Sequence, residues 1–147
     1  MNRERLRILA DHLPSVPAKH FDLSSWAILP GRMGGGWGKG YKEMDKLGHI
    51  PEVTCGTTAC AAGWACSIPE LHAAGLRLVL DSSESWPTVR YLGRSGYMAL
   101  AAFFSISEEM AQQFFSPTRY FLFDKEGRRR NPQAKDVAER ILEAINK

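Results

Sequence analysis

No run of apolar residues in this chain approaches the roughly 18 that a membrane-spanning helix needs. The opening Met1-Asn2-Arg3-Glu4-Arg5 leads into an amphipathic pattern, so no secretory signal is expected there. Cysteine is scarce. Three residues, an odd number, exclude the spaced framework of a secreted disulfide scaffold and point to a reducing cytoplasm. Neither CxxC nor HxxxH spacing occurs, so no metal site and no cofactor are expected. A large excess of charge of one sign is also absent. Nineteen basic and sixteen acidic residues leave a formal net charge of +3. That is too mild to indicate nucleic-acid binding on charge alone.

What remains is the composition of an ordinary globular protein. Of the 147 residues 44% are hydrophobic and 24% charged, enough to bury a core in one domain spanning residues 1–147. Asn2 is placed to cap a first helix carrying Leu6, Leu9 and Leu13 on one face, ended by Pro14 and Pro17. Residues 97–104 are apolar nearly all round and predict a central buried helix. Ser107 caps the next one, with Met110, Ala111, Phe114 and Phe115 on its inner side. Val137, Ile141 and Ile145 mark the inner face of a last helix entered through Asn131-Pro132. Residues 76–80 and 119–123 have strand character and predict a small β element. Asp124-Lys125-Glu126-Gly127 is a turn, and Arg128-Arg129-Arg130 the returning strand. Residues 81–85 predict a polar loop, and Trp86-Pro87 with Tyr91-Leu92-Gly93 an irregular crossing anchored by aromatics. The expected fold class is α+β, predominantly helical. A central small-residue helix sits in a single compact domain, with the terminal helices packed outside it.

Two stretches stand apart from this scaffold. Pro30-Gly31-Arg32-Met33-Gly34-Gly35-Gly36-Trp37-Gly38-Lys39-Gly40-Tyr41 holds six glycines. It matches no nucleotide motif. Gly40 follows Lys39 where a P-loop needs Ser or Thr, and no GxGxxG spacing is present. Such a stretch is a surface loop by default. Its Arg32, Trp37, Lys39 and Tyr41 nevertheless supply charge and stacking faces, and they are the expected ligand-binding residues.

The second stretch, Thr54-Cys55-Gly56-Thr57-Thr58-Ala59-Cys60-Ala61-Ala62-Gly63-Trp64-Ala65-Cys66, holds all three cysteines. It predicts a turn at Gly56, a cap at Thr57 or Thr58, and a helix of small residues that lets a neighbour pack close. Cys60 and Cys66 are expected to fill space as small hydrophobes. Cys55, just ahead of the predicted first turn, is placed where a helix dipole lowers a thiol pKa. That defines an alternative function, a cysteine-dependent hydrolase or transferase with Cys55 as nucleophile and His49 or His72 as base.

Residues 55–65 resemble a CGTxxCxxGxA signature found in small proteins of bacteria and their phages. The resemblance extends to the opening helix, to Phe21-Asp22-Leu23-Ser24-Ser25-Trp26, and to residues 101–117. It implies a cytosolic accessory protein, in some cases phage-borne, and carries no activity over. The glycine-rich stretch with its aromatic and basic side chains, and no catalytic constellation beside it, makes non-catalytic binding the expected function. The partner would be a small anionic ligand, such as a signalling nucleotide held in an anti-defence role, or a host protein.

Overall fold

The structure, a computed structural model, describes residues 1–24, 26–28, 58–79 and 87–147. The fold is α+β and mostly helical. Helix α1 spans Arg3–His12 and starts as expected, with the Asn2 side chain accepting the Arg5 N–H at 3.1 Å. Leu6, Leu9, Ala10 and Leu13 turn inward and are fully buried. The proline-rich connection forms two short 3-10 turns, Leu13–Ser15 and Ala18–His20. Helix α6, Ala134–Ile145, lies along α1 and contributes Val137, Ala138 and Ile141 to the same interior. The terminal helices thus build part of the core and do not merely cover it.

The centre is helix α4, Gly96–Phe104, followed by α5, Glu108–Phe115. Ala99, Leu100, Phe103 and Phe104 are buried, while Met98 reaches solvent, so one side of α4 remains open. Ser107 caps α5 by accepting the Met110 N–H at 3.1 Å. The rings of Tyr91, Phe103, Phe104, Phe115 and Phe114 form a continuous chain, with successive centroids 5.0, 5.0, 5.7 and 6.1 Å apart. Edge-to-face pairs dominate it, the arrangement the ring quadrupoles favour.

Short antiparallel ladders fasten the connections. Strands β1 (Ala27–Ile28) and β2 (Thr58–Ala59) pair with each other. Strands β3 (Arg77–Val79), β4 (Thr88–Tyr91) and β5 (Arg94–Ser95) form a three-stranded sheet in that order. Strands β6 (Leu122–Phe123) and β7 (Arg129–Arg130) make a hairpin. The two strand segments expected to form one β element therefore take different partners. The stretch expected to cross irregularly contains β4, which buries Val89 opposite Leu78. Helices α2 (Ala61–Ala65) and α3 (Pro69–Ala73) follow β2 and lead into β3.

Candidate functional site

The small-residue segment is shorter as a helix than its composition suggests. Thr58 and Ala59 are extended, as strand β2, and the helix begins only at Ala61. Its cap is Cys60, not Thr57 or Thr58. The Cys60 Sγ accepts the Gly63 N–H at 3.5 Å and donates to the Trp26 carbonyl at 3.8 Å. The same carbonyl closes on the helix at Gly63. A β carbon there would overlap the Trp26 oxygen and stand 2.9 Å from the Ala59 Cβ. On the other side, the Trp64 indole N–H donates to the His20 carbonyl at 3.0 Å, and the Asp22 N–H donates to the Ala59 carbonyl at 3.1 Å. Phe21 bridges to Ala59. The chain after α1 is thereby laid directly across β2 and α2, and glycine and alanine permit that closeness.

This shift in the helix start bears on Cys55. It lies five positions before the Cys60 cap in the sequence, with strand β2 in between. Cys55 itself and His49 lie outside the described residues. Cys60 and Cys66 are buried free thiols. Burial pushes the Cys60 thiol up to about 11, and burial with Cys60 nearby pushes Cys66 well above its ordinary value. Both stay protonated at neutral pH and make poor nucleophiles. The Cys66 Sγ donates to the Ala62 carbonyl at 3.3 Å, as a packed structural cysteine does. His72 on α3 is half-buried, its Nδ1 3.1 Å from the Cys66 carbonyl and its own carbonyl held by the Arg77 guanidinium. No group of three His, Cys, Asp or Glu suited to a metal ion occurs among the described residues.

A cleft of about 550 Å³ opens beside the α2 module. One wall is the chain at Lys19, Asp22 and Ser24. The other is Asn131 and Gln133 at the entry to α6, with Thr58 between them. Asp22 is already engaged, accepting the Ser24 N–H at 2.9 Å and the Ser24 hydroxyl at 2.6 Å. Lys19 has no ion-pair partner among the described residues, so its ammonium is the available charge. A smaller hollow of about 220 Å³ continues past Leu23 and Ser24 to Trp26 and Tyr97, whose rings meet edge to face at 5.2 Å.

Arg32, Trp37, Lys39 and Tyr41, the expected ligand-binding residues, lie outside the described residues. Their place in the chain is still informative. Residues 29–57 connect β1 to β2, and the pair Ile28↔Thr58 fixes both ends of that connection at the cleft, where Thr58 is part of the wall. Lys19, Thr58, Asn131 and Gln133 had no shared signal in the sequence. They are far apart along the chain and meet only because β2 and α6 pack around residues 19–24.

The chain matches no protein-family model, no curated protein and no solved structure. No helix among the described residues is long and apolar enough to cross a membrane.

Proposed function

We propose that this protein is a non-catalytic binding protein that holds a small anionic ligand in the cleft between residues 19–24 and the start of α6. The cleft itself carries the reading. Its volume of about 550 Å³ lies within the roughly 300–1,000 Å³ usual for small-molecule sites. Its wall offers an unengaged ammonium at Lys19, amides at Asn131 and Gln133, and a hydroxyl at Thr58. The ammonium and the amide NH2 groups can donate to an anion, the Thr58 hydroxyl already donates to the Lys19 carbonyl at 3.5 Å, and the one carboxylate, Asp22, accepts both Ser24 hydrogen bonds at Oδ1. The Lys19 ammonium is the group of this lining that draws an anion.

Arg32, Trp37, Lys39 and Tyr41 complete the site in this proposal, because their segment is anchored at the cleft by β1 and β2. They supply further positive charge and stacking faces for a base or another flat ring. The resemblance of residues 55–65 to bacterial and phage proteins suggests the setting: an accessory protein of the cytoplasm. A signalling nucleotide withheld from a host defence pathway is the concrete ligand class.

The test is a thermal-shift screen of the full chain with mononucleotides, linear and cyclic dinucleotides, and inorganic phosphate. A bound ligand at a hundred times its Kd adds about 2.7 kcal/mol, so a clear rise in Tm is expected for a phosphate-bearing compound. Lys19→Ala should remove that rise while leaving the unliganded Tm unchanged. If every compound at saturation leaves Tm where it was, the ligand reading fails. Recovery of a host protein by the same chain would then put a macromolecule in its place.

A further inference from the structure

The β6–β7 hairpin turns one face to the interior and the other to water. Its register sets Phe123 opposite Arg129 and Leu122 opposite Arg130. Side chains alternate along strands, so Phe121, Phe123 and Arg129 share a face, and Leu122 and Arg130 share the other. The inner face is fully employed. Leu122 packs against the core, and Arg130 grips Asp136 of α6 with two hydrogen bonds of 2.7 and 2.8 Å. On the outer face Phe121 is 72% and Phe123 62% exposed, and the Arg129 guanidinium lies 5.5 Å from the Phe121 ring centroid. Core phenylalanines in this protein are almost completely enclosed, so two open rings only two residues apart need an explanation.

The charge of the molecule gathers here as well. Residues 119–130 hold five of the nineteen basic and two of the sixteen acidic side chains. Their formal charge therefore equals the +3 of the whole chain, and the remaining residues balance to zero. Averaged over 147 residues that excess is slight; within twelve it is a local field. Arg128 is spent on Asp124 and Glu126, and Arg130 on Asp136. Arg129 is stacked, while Arg119, which donates to the Gln112 side chain at 3.4 Å, and Lys125 in the turn are both exposed.

We propose that this face binds single-stranded nucleic acid, with bases stacked on Phe121 and Phe123 and the phosphate backbone drawn to Arg129, Arg119 and Lys125. Rings two residues apart on a strand stand about 6.6 Å from each other, so each can take its own base. Stacking on aromatic rings beside cationic side chains is the chemistry by which unpaired strands are held without sequence preference. An anionic bilayer fits less well. The hairpin tip that would enter it first carries Asp124 and Glu126, with the rings set back along the strand. A second copy of the chain would bring two such positive faces together.

Fluorescence anisotropy with labelled oligothymidylate and oligouridylate tests the proposal on the full chain. Binding is expected at about 50 mM salt and should weaken roughly tenfold by about 200 mM as counterions are taken back. Phe121→Ala and Phe123→Ala should each weaken it by about tenfold, and both sites are open enough for the fold to persist, which circular dichroism checks. Lys19→Ala, in the cleft, should leave this binding unchanged. No anisotropy change up to about 0.1 mM protein would overturn the proposal, since even non-specific binders register there. So would binding indifferent to both phenylalanine substitutions. Phenylalanine-dependent capture by phosphatidylserine vesicles, with none by oligonucleotide, would also overturn it and assign the face to membranes.

Discussion

The carbonyl oxygen of Trp26 occupies the space in which a β carbon of residue 63 would lie, so only glycine closes this contact. The Cys60 thiol reaches the same carbonyl from the helix cap, at 3.8 Å. The two residues fix one backbone oxygen between them. In isolation Gly63→Ala should help a helix, by up to about 1 kcal/mol. Here the overlap is with backbone, which cannot swing aside, so the substitution should cost about 3 kcal/mol or more. Urea denaturation of the variant decides between these signs, and a stabilised Gly63→Ala would mean the Trp26 contact is not formed.

The two buried thiols should be inert in the native protein. Iodoacetamide followed by intact-mass measurement should leave Cys60 and Cys66 unmodified until the chain is denatured. Their titration also sets an alkaline limit. The folded state holds the Cys60 proton up to about 11, against an ordinary 9.0 once unfolded. The stability this confers is complete below pH 9 and is lost as pH rises from there toward 11. Two pH units correspond to about 2–3 kcal/mol. Cys66 and Tyr120 shift in the same direction through burial and steepen the loss. Cys60→Ala should flatten the alkaline limb of a denaturation series, even though it weakens the helix cap.

Tyr120 and Arg140 tie the start of the hairpin segment to α6. The Tyr120 hydroxyl donates to the Phe114 carbonyl at 2.7 Å, and the Arg140 guanidinium lies 3.6 Å from the Tyr120 ring centroid. The same guanidinium donates to the carbonyls of Gln113 and Arg119 at 2.8 and 2.9 Å. Tyr120→Phe leaves the Phe114 carbonyl without this donor and should cost about 1–2 kcal/mol. Arg140→Lys keeps the charge but loses the planar fork, and it should still destabilise measurably. A Lys variant as stable as the parent would reduce this contact to simple charge.

Asp136 should matter more than its place near the surface suggests. Its carboxylate is 8% exposed, accepts the Gln133 N–H at 2.7 Å as a helix cap, and holds Arg130. The Arg130 hydrogen bonds keep its pKa below the ordinary carboxylate value. Because the folded value is depressed, the stability is present above the unfolded pKa of about 3.9 and is lost as pH falls through the folded one. Asp136→Ala should cost about 2 kcal/mol near neutral pH and less in acid. A cost that does not shrink on acidification would show that packing, not charge, is what the substitution removes.

The helices were legible in the sequence because their information is local. Asn2, Ser107 and the apolar spacing of Val137, Ile141 and Ile145 predicted the caps and faces that the structure shows. The cap of α2 was hidden, because cysteine is not a usual capping residue and the preceding threonines drew the boundary too early. Strand β4 was hidden for a different reason. Thr88 to Tyr91 acquires its ladder from Leu78 and its neighbours, and pairing belongs to the tertiary structure. The cleft follows the same logic, since Lys19, Thr58 and Asn131 become neighbours only after the chain has closed. Phe121 and Phe123 lie in a segment of strand composition, which leaves open which face they take, and the hairpin shows that they face outward.

The pairing of α1 with α6 also has a clock in it. Some 120 residues of chain separate the end of one helix from the start of the other. At a ribosomal rate of about 5–20 residues per second, that interval lasts roughly 6–25 s. Throughout it Leu6, Leu9 and Leu13 have been made but their partners have not. The first helix is thus born sticky and waits for the last one, so the nascent chain should lean on chaperones early and lose that need abruptly once α6 emerges.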